Sequence, residues 1–359
     1  MNTFGTALKV SIFGQSHSDA IGVTIEGIPP GFEIDTQKIL DFCQRRAPGN
    51  SSVSTKRKEA DIPRFISGIV DGKTCGAPIC AIIENGDFRS RDYDKLKTVP
   101  RPSHADYPAF VKFEGYNDIR GGGQFSGRLT APLCIAGGIA LQVLSSMGIK
   151  IGAHIYEIDG IKDASYHPVD VTEKDFKLQD GFPTLTKESG EKMEKAILSA
   201  RNNGDSVGGI IECAVVGMDA GYGSPMFEGV ENVISQAVFA IPAVKGIEFG
   251  AGFDTARKKG SENNDSYVIK DEKVTTLTNN CGGISGGITN GMPIIFRAAF
   301  KPTPSVAKTQ NSVNLETLEN CEVLIEGRHD PCVVPRAVPV VEAAAAIAVC
   351  DIIFKNKYI

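Results

Sequence analysis

Tryptophan is absent from this chain, histidine occurs only five times in 359 residues, and no two cysteines form a C-x-x-C pair. The nine cysteines are an odd number, and Cys80, Cys134 and Cys213 sit in apolar runs. They read as small core hydrophobes of a reduced compartment rather than a disulfide framework. No cluster of cysteine, histidine and carboxylate has metal-ligand spacing, so no metal site is expected. There is no G-x-x-x-x-G-K-[ST] loop and no strand-following G-x-G-x-x-G with a matching acid, which disfavours nucleotide hydrolases and dinucleotide-binding folds. The net charge of -5 gives no global attraction to nucleic acid or to a membrane surface. The start, MNTFGTALKV, lacks a basic stretch followed by an apolar one, so no signal peptide is expected. The longest apolar stretch, Ala337 to Phe354, is interrupted by Glu342 and Asp351 and reads as a buried helix, not a membrane span. A cytoplasmic protein is expected. No low-complexity linker divides the chain, so residues 1–359 are expected to form one domain.

What the chain has is glycine, 39 residues of it, clustered at Gly121 to Gly123, Gly208–Gly209 and in CGGISGG from Cys281 to Gly287. Such runs make tight turns or let backbone approach a ligand. Apolar spacing predicts helices after a cap at Asp35, over Thr130 to Met147, Glu191 to Asn202 and Val230 to Ile241, and from Pro335 onward. Strand-like runs lie between them: Gly22 to Glu26, Phe65 to Val70, Ile79 to Glu84, Ile151 to Ile158, Gly209 to Val216 and Pro293 to Phe300. The class is therefore mixed α/β (α+β). A strand, a Gly/Pro turn and a helix occur at GVTIEGIPPGFEIDTQKIL and recur at GIIECAVVGMDAGYGSPMFEGVENVI, which points to an internal pseudo-duplication.

Histidine titrates near neutrality, so each of the five is a candidate acid or base. His154 alternates with apolar neighbours in a strand, and His167 precedes Pro168 in a polar loop; both read as structural or solvated. Ser16-His17 follows Gly14 at a strand end, and His104 lies in the proline-stiffened P-R-P-S-H-A-D, where Asp106 is placed to orient the ring. His329 lies in G-R-H-D-P just before the last helix, where Arg328 and Asp330 make either a structural ion pair or a ligand contact. These three motifs are expected to converge on one site for a phosphorylated acid. Arg45, Arg46, Lys56, Arg57, Lys58 and Arg64 concentrate in one stretch, either a solvated basic loop or an anion clamp.

Together these motifs resemble those of the chorismate synthases, and the resemblance spans essentially the whole chain. FGQSHSDAIGVTIEGIPPG, RGGGQFSGRLT and GRHDPCVVPRAVPVVEAA stand in the family's order, with KRKEAD, GAPI, VPRPSHADY, GDSVGG, AVKGIEFG, GGISGGI and KPTPS between them. The resemblance implies a β-α-β sandwich assembled as a homotetramer. It implies removal of phosphate from 5-enolpyruvylshikimate 3-phosphate by 1,4-anti elimination to give chorismate, with reduced FMN required although there is no net redox change. NADPH as a source of the reduced flavin stands beside it, and whether the chain reduces its own flavin is open. By resemblance His17 protonates the departing phosphate, His104 stabilises the reduced flavin, and Ser16 with Asp330 relays a proton. Arg46, Arg101 and Arg128 hold the substrate. Gln124, Phe125, Ser126, Ala243, Gly286, Lys301, Pro302, Thr303, Pro304, Ser305 and Arg328 contact the flavin. Ser52 replaces an arginine common among relatives; Phe125, Gly127 and Leu129 alter the central signature, and Gln15 and Ser18 replace the usual Glu and Gly. Two other readings are a flavin-dependent oxidoreductase on the same scaffold and a nucleic-acid-binding module. Overall acidity and the lack of interleaved aromatics argue against the second.

Overall fold

The computed structural model describes residues 2–49, 61–86, 97–325 and 330–356. The first half of the chain runs β1 (Lys9–Gly14), β2 (Ala20–Glu26), α1 (Thr36–Arg46), β3 (Arg64–Ser67), β4 (Ile79–Glu84), a short helix α2 (Asp106–Lys112) and α3 (Thr130–Ser146). The second runs β5 (Lys150–Ile158), α4 (Lys187–Asn202), β6 (Gly209–Val216), α5 (Val230–Phe239), β7 (Val244–Phe249), β8 (Ile294–Phe300) and α6 (Val334–Asn356). The first sheet has the order β1-β2-β4-β3 and the second β5-β6-β8-β7, each with one further short edge strand. All these pairings are antiparallel. With α2 and α4 set aside, both halves are strand–strand–helix–strand–strand–helix with the same spatial order. The echo between the two sequence segments thus reports a repeated topology: one is β2 into α1, the other β6 into α5.

Period-two patterning explains the sheets. In β2, Ile21, Val23 and Ile25 point into the core opposite Ile83, Ala81 and Ile79 of β4. The helices lie between the sheets, α3 against the first and α6 against the second. They cross where Gly137 meets Ala343; a Cβ on Gly137 would collide with the α6 backbone. One apolar cluster takes residues from both sheets and from α1, α3, α5 and α6. Helix α6 is long and apolar enough to cross a bilayer, but its whole apolar window is buried inside the protein. Its two acidic side chains are tethers. Glu342 accepts from Arg45 at 2.6 and 2.9 Å and from the Ala153 amide at 3.1 Å. Asp351 accepts from the amides of Thr6, Ala7 and Leu8 at 2.9, 2.7 and 2.9 Å.

Local chemistry sets most boundaries. Asp35 caps α1 by accepting from the Lys38 amide, as its position predicts. Helix α4 begins at Lys187, a turn before the apolar pattern at Glu191. The expected strand from Phe65 to Val70 is broken: β3 stops at Ser67, and Ile69–Val70 pairs elsewhere. Gly68 causes the break. Its φ is +85°, and a Cβ there would lie 2.5 Å from Ile79 Cα.

Candidate active site

The turn after β1 carries Ser16 and His17, both buried. Its partner is the triple glycine Gly121 to Gly123, whose φ values are +60°, +86° and +54°. Three successive residues in this region require glycine. The Ser16 amide donates to the Gly123 carbonyl at 3.1 Å. A Cβ on Gly121 would run into the Ser16 hydroxyl and lie 2.5 Å from His17 Cε1. On the next residue, a Cβ on Gly122 would lie 3.4 Å from both Cε1 and Nε2 of His104. Consecutive Cα atoms are about 3.8 Å apart. The glycine run therefore brings two histidines from separate segments to one piece of backbone, with no side chain between them and it.

His104 is fixed by its own loop. Ser103 has φ +57°, uncommon for a residue with a Cβ. His104 Nδ1 lies 2.6 Å from Asp106 Oδ1. Arg101 grips the same carboxylate, Nε to Oδ2 at 2.7 Å and Nη2 to Oδ1 at 2.8 Å, and its amide adds a third bond at 3.0 Å. Burial works against the charge on Asp106, but the bonds from Arg101 and His104 outweigh it and hold the carboxyl well below its usual range. An ionised Asp106 selects the tautomer with the proton on Nδ1 and leaves Nε2 toward Gly122. Arg101 commits much of its fork to this loop, and only the remainder can meet a ligand. The loop also joins the KPTPS segment, because the Lys301 ammonium donates to the Ser103 carbonyl. Burial and then the nearby Lys245 lower the Lys301 pKa.

A second buried group lies at the ends of α1 and α3. Arg46 and Arg128 each hold one oxygen of Asp61. Arg46 also donates to Thr130 Oγ1 at 3.0 Å, and Arg128 to Asn85 Oδ1 at 3.1 Å. Arg336 donates to the Arg46 carbonyl at 3.0 Å and pairs with Asp330. Among the described residues this puts three guanidiniums against two carboxylates, which suits an anion. Asp330 is tied to the arginine group through Arg336, and no contact among the described residues ties it to Ser16.

The other sequence candidates divide. Ser126 accepts from the Arg128 amide at 3.3 Å, and Gln124 and Phe125 are exposed beside it. Ala243 has φ +75° and accepts from the Lys301 amide at 3.0 Å. Thr303 Oγ1 is buried with no hydrogen-bond partner, and Ser305 is buried. Pro302 and Pro304 flank Thr303 in the same stretch. Gly286 lies in the turn of the Ile284–Ser285/Ile288–Thr289 hairpin, where a Cβ would meet no other atom within 4 Å. Arg328, His329, Ser52, Lys56, Arg57 and Lys58 lie outside the described residues. Of the remaining basic stretch, Arg45 serves α6 and Arg64 makes a surface pair with Glu84. His167 is exposed, and His154 is wholly buried between carboxylates. Sequence reasoning gave no role to Asp61, Asn85, Thr130 or Arg336. Asp61 ends the quoted KRKEAD and Arg336 lies within the last signature, but nothing local marks either one.

A family model described as Chorismate synthase matches residues 8–354. Curated proteins named chorismate synthase from Lancefieldella parvula, Korarchaeum cryptofilum and Thermococcus kodakarensis are 47%, 45% and 44% identical. Each match covers 98% of this chain, and 96%, 97% and 98% of the relative. A solved crystal structure of chorismate synthase superposes with a TM-score of 0.75 at 27% identity, over 98% of this chain and 93% of that one. None of these matches supports the oxidoreductase alternative.

Proposed function

The chain belongs to the chorismate synthase family, a lyase of the shikimate pathway that forms chorismate, and from that premise we propose how its residues remove phosphate from 5-enolpyruvylshikimate 3-phosphate. The observation that carries the reading is the glycine run, which packs on Ser16 and His17 with one residue and faces His104 with the next. Arg46 and Arg128, with what remains of the Arg101 fork, receive the phosphate and carboxylates. The buried His17 ring gives its proton to the phosphate oxygen as the C3–O bond breaks. Ser16 beside the glycine run and Asp330 within the arginine group each take part in relaying a proton out of the site, with Arg336 keeping Asp330 in place. Burial of the acid and of the arginines strengthens each of these interactions relative to water.

The residues present fit a reduced flavin. His104 offers Nε2 across a glycine, and Thr303 Oγ1 is a buried hydroxyl with no protein partner in the segment that adjoins the His104 loop. Gln124, Phe125, Ser126, Ala243 and Lys301 to Ser305 would hold it, with Arg328 and Gly286 as further contacts. Bound there, reduced FMN would supply the electron density that lets phosphate depart and the C6 hydrogen leave with no net redox change. NADPH is the reductant we assign to the flavin pool.

The whole chain works as one domain in this reading, in the cytoplasm, and as a homotetramer. Exposed Tyr267, Ile269, Val274 and Leu277 on one hairpin support an assembly, since such a patch is ordinarily covered. Gly286, apart from the histidines, would then serve a neighbouring subunit's flavin. The test is anaerobic incubation with reduced FMN and 5-enolpyruvylshikimate 3-phosphate. Stoichiometric chorismate and inorganic phosphate with the flavin still reduced is the expected result. Flavin oxidation in step with turnover, or no phosphate release, would overturn the reading.

A further inference from the structure

Asn85 follows β4 directly, and its side chain makes three bonds to two parts of the site. Its Nδ2 donates to the Ser18 carbonyl at 2.8 Å and to the Gln15 carbonyl at 3.2 Å. Those carbonyls bracket Ser16 and His17. Its Oδ1 accepts from Arg128 Nε at 3.1 Å. The orientation of the amide is unambiguous, because a guanidinium can only donate and a carbonyl can only accept. The Asn85 backbone N–H also donates to the Asp19 carbonyl at 3.0 Å, which anchors the residue to the far side of the same turn. Arg128 in turn holds Asp61, which holds Arg46.

We infer that Asn85 is a positioning residue that sets the His17 turn in register with the Arg128–Asp61–Arg46 anion group. The inference rests on the roles given above to His17 and the arginines. A phosphate held by the arginines is protonated only if the imidazole reaches the bridging oxygen, so the two groups need a fixed spacing. The turn is joined to the glycine run by one backbone hydrogen bond, from Ser16 to Gly123. Asn85 supplies side-chain bonds that join this turn directly to an arginine of the group. It touches neither reacting atoms nor substrate in this role.

An isosteric change separates the two halves of its job. In Asn85→Asp, one oxygen still accepts from Arg128, while the other faces two carbonyl oxygens and repels them. The turn should come loose and the anion group stay intact. Asn85→Ala removes both contacts. A misplacement of about 1 Å costs on the order of 100-fold in rate. For Asn85→Asp we expect kcat to fall by roughly 10- to 100-fold with KM changed by less than about threefold. The acidic limb of the kcat–pH profile should shift, and hydrogen exchange across residues 15–20 should speed up. Asn85→Ala should lower kcat and also raise KM. Unchanged kcat in Asn85→Asp, or a raised KM with kcat intact, would overturn the inference. So would slowed or unchanged exchange in the turn, a readout that needs no turnover. If the unsubstituted protein released no phosphate from the substrate, the functional reading would fail, and the exchange data would still decide whether Asn85 holds the turn. A merely structural asparagine would lower the melting temperature in both variants alike and leave the kcat–KM split and the pH profile unmoved.

Discussion

The two halves of this protein share a strand order and treat buried charge in opposite ways. In the second half Glu248, Arg297, Glu212 and His154 stand in one cross-strand row over β7, β8, β6 and β5. Each faces a neighbour of unlike charge: Arg297 lies 2.9 Å from Glu212 and 3.5 Å from Glu248, and His154 Nε2 lies 3.0 Å from Glu212. Asp163 closes the far end 3.6 Å from His154 Nδ1. The Tyr166 amide and Ser165 hydroxyl take further bonds to Glu212, and the Arg297 guanidinium stacks on Tyr156 at 4.1 Å. That row is complete within the chain. In the first half, guanidiniums outnumber carboxylates among the described residues, and two histidines face glycine backbone. A row satisfied by its own neighbours stabilises a sheet, and a group left with positive excess and glycine-lined space suits a ligand. Burial and charge are thus similar in the two places, and what separates them is whether the account closes.

Changes in the open half should strike catalysis, and the largest effect is expected at His17. His17→Ala should lower kcat by roughly 100- to 10,000-fold, the range for a lost general acid, with chorismate formation under reduced FMN as the measurement. Activity at the unsubstituted level would remove the acid role. Gly121→Ala comes next. It puts a methyl group against the Ser16 hydroxyl and the His17 ring at a φ of +60°. Rate should drop by roughly 10- to 100-fold while the rest of the fold, followed by circular dichroism, is retained.

Asp61→Asn sharpens the comparison further, because two arguments give opposite signs. Pure Coulomb reasoning says that removing a carboxylate from between two guanidiniums raises the positive charge and tightens an anionic substrate. Positioning says that Arg46 and Arg128, set against each other without their shared partner, lose the geometry that the substrate meets. A hydrogen bond to a charged group contributes about 1.5 to 3 kcal/mol, so losing one such contact should raise KM roughly 10- to 100-fold. We expect the positioning effect to win, since both arginines are nearly inaccessible to solvent. Calorimetric titration with substrate settles the sign, and tighter binding would show that Asp61 competes with the substrate instead of preparing its site.

The same contrast explains what could be read from the sequence. His17 and His104 were legible because histidine is rare here and each stands in an unusual local setting, one at a strand end and one between stiffening prolines. The glycine run was legible as a close approach, although not which rings it would meet. Asp61 and Asn85 were not. A single aspartate or asparagine in a polar stretch carries no local mark, and their meaning comes from Arg46, Arg128 and Ser18, which are 15, 43 and 67 positions away respectively in the pairings that define them. Asp330 shows the reverse case: its motif announced it, and Arg336, six residues on, was silent because nothing in the apolar pattern of the helix marks a single arginine as its partner. In the fold, the echo of β2–α1 in β6–α5 foretold the duplication. The strand order could not be foretold, because period-two patterning says which face is buried and not which strand lies alongside. The charged row escaped notice for the same reason, since its members lie on four strands.

The closed half should respond to pH in stability alone, and this is the smallest effect expected. Burial acts to lower the His154 pKa, but Asp163 and Glu212 outweigh it and raise it above the ordinary 6.5. A histidine with a raised folded pKa contributes stability that is fully present below its unfolded pKa and is lost as pH rises through the folded one. Its carboxylate partners behave in the opposite sense. Burial opposes their charge, but His154 and other donors lower Glu212 from 4.5 and bring Asp163 from 3.8 to about 2. Their contribution is present above the ordinary carboxylate values and fades as pH falls through the depressed ones. The row as a whole should therefore stabilise most between about 4.5 and 6.5, the window set by the two ordinary values. His154→Gln keeps a donor toward Glu212 and removes the titrating ring. It should cost roughly 1 to 3 kcal/mol at acidic pH, and its melting temperature should fall less steeply than that of the unsubstituted protein between pH 6.5 and 9. Its kcat and KM should stay put. Parallel melting curves across that window would mean that His154 is neutral already at pH 6.5, and that the row closes by hydrogen bonds without the ring's charge.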